Sequence, residues 1–295
     1  MKKETNRDCA LPGSRRGFLK AVTGVSLAGL ATLPLSARGW NPLSQAPRRD
    51  GVKALLISAT TVAGKTSLEH ARTALAELYG ERRRLLLINF ASLPEDRDAY
   101  AARMERDFGR IDERFEIVSL HALEPREAGR AIREAEGFFV SGGNTFLLLR
   151  ELYDRFVVDL LRERVLQGVP YAGSSAGSNI AGEVIGTTND FPMTDIPTRR
   201  SLGLFPGVYN PHHPDLDDAL FGSRQWKIGQ YAAYNRNETV VGVTNDGMLR
   251  VKGEQMSLLG ENAAAALVHR AGREARVIPP DSRDVSAAFR QVAKG

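Results

Sequence analysis

The sequence predicts an α/β protein built on a mostly parallel sheet with helices on both faces. Three observations carry this expectation: short apolar runs recur along the chain, segments of helical period separate them, and the glycine-rich segments fall where strands end. Strands that alternate with helices form βαβ units, which cover a parallel sheet from both sides and gather chemistry at its carboxyl edge. With 42% hydrophobic and 25% charged residues over 295 positions, the chain has the composition of a globular protein with a core of useful size.

The elements follow in order. KALLIS, Lys53–Ser58, is a short apolar run and hence a buried strand. TSLEHARTALAELYG, residues 66–80, has apolar residues at helical spacing and stops at a glycine. LLLINF (85–90) is a second strand, residues 98–108 a helix, and FEIVSL (115–120) a third strand. PREAGRAIREAE is a helix, and GFFVSGG (137–143) is a fourth strand ending in glycines. Residues 145–167 hold one or two helices, and VPYAG (169–173) is a fifth strand running into SAGSNIAGEV, a helical segment. The last third reads as short strands, ETVVGVT, GMLRVKG and AALVHRAG.

The first residues read as an address. SRRGFLK, residues 14–20, precedes an apolar stretch from Ala21 to Leu35 and then SARG. A basic segment, an apolar stretch and small residues make a secretory signal. Arg15–Arg16 followed by Phe18, Leu19 and Lys20 resembles the twin-arginine export signal. The apolar stretch is shorter than the roughly 20 residues that span a bilayer, so no stable membrane insertion is expected after cleavage, placed after Ala37. The expected organisation is a leader over 1–37, a linker over 38–50 and a single α/β domain over 51–295, exported through the twin-arginine machinery to the periplasm or beyond. The leader supplies +4 of the formal net charge of +5, which removes the main argument for a nucleic-acid partner. Cys9, in the leader, is the only cysteine, so the body has neither a disulfide nor a thiol nucleophile.

Two segments compete as chemistry-bearing loops. ATTVAGKT, residues 59–66, follows a strand and precedes a helix, as a phosphate-binding loop does. It holds one glycine, and Thr60, Thr61 and Val62 resist the backbone angles such a loop needs, so an ordinary turn is expected. Gly173-Ser174-Ser175-Ala176-Gly177 fits G-x-S-x-G, a strained strand–turn–helix whose small flanking residues expose the central hydroxyl. In that frame Ser175 is the nucleophile.

A serine needs a base, and the base an orienting group. Of the five histidines, His70 and His269 sit in ordinary helix and strand patterns, and His121 follows a strand without a partner motif. His212 and His213 lie in NPHHP, where prolines constrain a loop that holds an imidazole in place. No carboxylate–histidine helix motif accompanies them, so no metal is expected. Asp190, in TTNDFP, is a candidate orienter, and a turn residue is its ordinary reading. For the oxyanion, Ala176 supplies the N–H after the nucleophile, and Gly142 or Gly143 of SGGN brings a second donor close.

Together these pieces resemble the peptidase E family, the α-aspartyl dipeptidases. GGNTF, GSSAGSN, TTNDFP and LGLFPGVYNPHH occur in that family's order, with 15 residues from Ser175 to Asp190 and 22 from Asp190 to His212. VAGKTSLEH resembles the family's first loop and helix. The resemblance implies a flavodoxin-like fold related to the class I glutamine amidotransferases, with serine in place of cysteine. It implies hydrolysis of dipeptides with N-terminal aspartate by Ser175, with His212, the histidine after Asn-Pro, as base and Asp190 as orienting acid, and no cofactor. Asn144 and Arg224 are the implied substrate contacts, Arg224 as a bidentate partner of the β-carboxylate. Two departures stand out: Ser174 occupies the place of a usual tryptophan, and GSRQ replaces a GETRE-type segment. The competing expectations are a cyanophycinase-like hydrolase of β-aspartyl peptides, an esterase using Ser175 with Asp246 and His269, and a non-catalytic binding protein. The sequence does not set the oligomeric state.

Overall fold

A computed structural model describes residues 48–260, 265–279, 282 and 285–290. The leader expected over 1–37, and most of the linker after it, lie outside the described residues.

The first half alternates as expected: β1 (Lys53–Ile57), α1 (Arg72–Tyr79), β2 (Arg84–Ile88), α2 (Arg97–Gly109), β3 (Glu116–Ser119), α3 (Ala128–Glu134) and β4 (Gly137–Val140). Two helices follow, α4 (Thr145–Asp154) and α5 (Val158–Leu166), before β5 (Tyr171–Ser174) and the single turn α6 (Ala176–Asn179). β6 (Val208–His213) and α7 (Phe221–Tyr234) lead to β7 (Val240–Thr244), β8 (Met248–Lys252), β9 (Gln255–Leu259), β10 (Ala266–His269) and β11 (Arg276–Ile278).

The main sheet has the order β3-β2-β4-β5-β1-β8-β9, with the first five strands parallel and β8 and β9 antiparallel additions. A second sheet, β11-β10-β7-β6, takes up the rest. The period of two along a strand divides the apolar runs between two cores. Ala54, Leu56, Leu86, Ile88, Phe138 and Val140 face one, and Leu55, Ile57, Leu85, Leu87 and Phe139 face the other. Near-continuous apolar runs thus mark strands covered on both faces.

Two boundaries differ from the expectation. The helix expected from residue 66 begins at Arg72, after a 3₁₀ turn at Glu69–Ala71. Glu69 reaches back to accept from the Thr66 N–H (2.8 Å) and hydroxyl (2.6 Å), which holds that stretch as a separate turn. The helix expected over 175–184 is one turn long, because the backbone of residues 180–183 bonds to residues 202–207 instead. Leu202 N–H donates to Ile180 (2.9 Å), Leu204 N–H to Ala181 (2.8 Å), and Glu183 N–H to Gly207 (2.9 Å).

Candidate active site

The site lies at the carboxyl edge where β4, β5 and β1 adjoin. Ser175 follows the last residue of β5 and is the N-cap of α6, with φ 51° and ψ −108°. Such backbone costs a non-glycine residue about 1–3 kcal/mol and persists only where its surroundings enforce it. Here they do. Ser175 N–H donates to the Ile57 carbonyl at 3.0 Å, and Gly177 N–H donates to Ser141 at 3.1 Å. The Ser178 hydroxyl spans Ile57 O (2.7 Å) and Gly173 O (2.8 Å). A Cβ on Gly173 would lie 2.5 Å from the Gly177 backbone, and one on Gly177 would lie 2.2 Å from the Val140 carbonyl. The flanking glycines are therefore required by contact between strand end, helix start and neighbouring strand. Ser174 is fully buried, its hydroxyl 2.6 Å from that of Thr60 in the first loop.

His212 comes to this serine from the second sheet. Ser175 Oγ and His212 Nε2 are 2.8 Å apart. The β6–β7 pairing is irregular between Asn210 and His213, and His212 has φ 54°. A bulge with left-handed backbone re-aims a side chain out of the ladder. Its N–H donates to Ser58 Oγ (2.8 Å), which itself donates to Val243 O (2.8 Å), and Asn189 Nδ2 donates to Pro211 O (2.9 Å).

The structure does not bring Asp190 to His212. Its carboxylate accepts the Thr145 N–H at the start of α4 (2.7 Å) and the Thr188 hydroxyl (3.0 Å). The atom opposite His212 Nδ1 is Asn245 Oδ1, at 2.8 Å. Asn245 follows β7, and sequence reasoning missed it, since a lone Asn-Asp-Gly reads as an ordinary turn between strands. Asn144 does not offer its side chain to a substrate either. It is the N-cap of α4, accepting from Leu147 N–H (3.0 Å) and donating to the Phe191 carbonyl (2.8 Å).

Gly142 stands against Ser175, where a Cβ would be 3.1 Å from that of the serine. Gly143 has φ 135°, and a Cβ there would be 2.4 Å from Ala91 O. Ala176, the residue after Ser175, is the first of α6.

Arg224 projects from α7 to the back of the His212 loop, donating to Asn210 Oδ1 (3.0 Å) and the His212 carbonyl (3.3 Å). Burial lowers its pKa from the ordinary arginine value. It lines a 340 Å³ cavity with Thr188, Asn189, Lys227 and Tyr231. His213 is buried beside His212, its Nδ1 2.8 Å from the Pro214 carbonyl and its ring 6.1 Å from that of His269. His269 therefore packs behind the site and is not placed at Ser175. Among the described residues, no group of three or more His, Cys, Asp or Glu side chains is arranged to hold a metal.

Comparison with known proteins bears on the family and the fold. Residues 54–259 match the model of Peptidase family S51. Peptidase E of Shewanella amazonensis is 36% identical over 215 residues, covering 72% of this chain and 90% of that protein. A probable alpha-aspartyl dipeptidase of Drosophila melanogaster is 38% identical over 219 residues, 71% and 87% of the two chains. Among solved structures, a putative peptidase E from Listeria monocytogenes superposes with a TM-score of 0.55 at 18% identity, covering 72% of this chain and 99% of that one. A peptidase from an acI-B1 actinobacterium gives 0.52 at 15% identity, over 78% and 95%. At these identities the two structures bear on the fold, which is the flavodoxin-like arrangement expected.

Proposed function

The chain belongs to peptidase family S51 and is a serine peptidase, and on that premise we propose that it hydrolyses dipeptides with an N-terminal aspartate, with Ser175 as nucleophile and His212 as general base. The observation that carries the residue assignment is the 2.8 Å contact between Ser175 Oγ and His212 Nε2, made across two positive-φ residues. The amide oxygen of Asn245 accepts from Nδ1, so the hydrogen sits on Nδ1 and the Nε2 lone pair faces the serine hydroxyl. That is the tautomer a base requires.

In this reading Nε2 takes the hydroxyl proton as Oγ attacks the scissile carbonyl. The developing oxyanion is received by the Ala176 N–H and by the N–H groups of Gly142 and Gly143. The imidazolium then protonates the leaving amine, and water repeats the sequence on the acyl-enzyme. Arg224, cationic within a polar cavity and one hydrogen bond from the His212 backbone, is suited to pair with the β-carboxylate.

Ser175→Ala tests this. Hydrolysis of Asp-Leu should fall by at least about 10⁴-fold while the thermal unfolding curve stays in place. Near-wild-type turnover by the variant would refute the assignment. A panel of Asp-Leu, β-Asp-Leu and Ala-Leu on the wild-type protein separates the α-linkage and the aspartate requirement.

A further inference from the structure

Two neighbours of the Ser175–His212 pair have side chains that divide the work one carboxylate was expected to do. His212 Nδ1 is 2.8 Å from one partner, Asn245 Oδ1. An amide oxygen fixes the imidazole tautomer and plane as a carboxylate does, but it brings no negative charge to the imidazolium that forms during turnover. The nearby charged groups are otherwise engaged. Asp246 accepts from the Thr244 hydroxyl at 3.1 Å, and its charge acts on Asp215, whose carboxyl is raised above the ordinary range chiefly by burial. Arg224, from α7, is directed at the His212 carbonyl and not the ring.

Asp190 is committed to the other side of the site. Three bonds tie residues 188–191 to the segment that follows Gly142 and Gly143: Thr145 N–H to Asp190 (2.7 Å), Asn144 Nδ2 to the Phe191 carbonyl (2.8 Å), and the hydroxyls of Thr188 and Thr145 to each other (3.1 Å). A carboxylate on the first N–H groups of a helix is stabilised by the unpaired donors there. It fixes where α4 begins, and with it the path of the two glycines that precede it.

We infer that this enzyme orients its base with a neutral residue, Asn245, and that Asp190 is a positioning residue for the Gly142–Gly143 wall, acting through the start of α4. The inference rests on the reading of Ser175 and His212 given above.

The test is the pH profile of kcat/KM for Asp-Leu, measured on the full chain with variants at both positions. Asn245 is exposed, so its substitutions leave the core intact. Asn245→Ala should lower kcat about 10²-fold, the scale of a misplaced general base. Asn245→Asp should stay active and move the acidic limb of the profile up by about one pH unit, because a carboxylate beside the ring favours the imidazolium. Asp190→Asn, which keeps one acceptor oxygen, and Asp190→Ala should lower kcat and the unfolding temperature, leaving the acidic limb where it is. An unmoved limb in Asn245→Asp, full activity in Asn245→Ala, or a limb displaced by Asp190→Asn would each overturn the inference. Any of those results alongside an inactive Ser175→Ala refutes the division of roles alone, whereas an active Ser175→Ala removes the reading beneath it as well.

Discussion

Gly143→Ala separates backbone necessity from mere glycine content. At φ 135° the residue sits in backbone that side-chain-bearing residues rarely adopt, at a cost of about 1–3 kcal/mol. The added Cβ would also lie 2.4 Å from Ala91 O and 2.7 Å from Ala91 C, both backbone atoms that no rotamer change can move. Overpacking of that kind costs about 1–3 kcal/mol more. The sum is about 2–6 kcal/mol, which at about 2–4 °C per kcal/mol lowers Tm by roughly 4–24 °C. Gly64→Ala is the internal control: its φ is 76° but nothing lies within 4 Å of the new Cβ, so only the conformational term of about 1–2 kcal/mol applies. Differential scanning calorimetry gives the stability difference. Turnover of Asp-Leu gives the functional one, and a displaced oxyanion donor should cost about 10²-fold in kcat. A Gly143→Ala protein with the Tm loss of Gly64→Ala and wild-type kcat would refute both the close approach and the catalytic use of this segment.

Arg224→Ala should lower kcat/KM for Asp-Leu by about 30- to 100-fold, the value of a charge-assisted hydrogen bond, with a much smaller effect on Ala-Leu; equal losses on both would assign Arg224 to holding the His212 loop. His269 is buried with an unpartnered Nε2, and burial, reinforced by neighbouring His213, lowers its pKa from 6.5 to about 4. The unfolded chain therefore binds more protons between pH 6.5 and 4, so stability is full above 6.5 and falls as the pH drops through that window, by up to about 3 kcal/mol. His269→Phe should flatten that part of a Tm–pH curve, and an unchanged slope would show that the acid sensitivity lies elsewhere.

Ser175 and His212, which meet at 2.8 Å, were singled out in the sequence for different reasons. G-x-S-x-G is a local pattern, and each glycine is explained by an atom it would strike within the strand–turn–helix or the adjacent β4. His212 needed the resemblance, since nothing local chooses between two adjacent histidines. The structure does choose: a left-handed φ at a β-bulge sends His212 to Ser175 and folds His213 inward under Gly242, where a Cβ would lie 2.4 Å from the ring. Asn245 was invisible because it meets His212 only through the pairing of β6 with β7, 33 residues away along the chain. Asp190 misled for a related reason. Its spacing matched the family pattern, but its carboxylate bonds to a backbone amide that no spacing rule points to. The overlong helix after Ser175 reflects the same limit, as its early end is set by backbone pairing with residues 202–207.

The strain of the site converges on the end of β1. Ser175 and His212 both hold positive φ, and each is held from Ile57 or Ser58. Ile57 O takes the Ser175 N–H and the Ser178 hydroxyl; Ser58 Oγ takes the His212 N–H and passes its own hydrogen to Val243 O in the second sheet. Ile57, the last residue of β1, and Ser58 just after it are fully buried, and β1 lies between β5 and β8 in the main sheet. A central strand is the part of such a fold least given to local opening, since its backbone bonds are shared on both sides and its side chains fill both cores. Two conformations that would relax if left to their own loops are thus fixed against one rigid element, and the 2.8 Å separation of hydroxyl and imidazole follows from the geometry of that strand end. The serine and histidine arrive from different sheets and chain segments, yet their relative placement depends on two consecutive residues, Ile57 and Ser58.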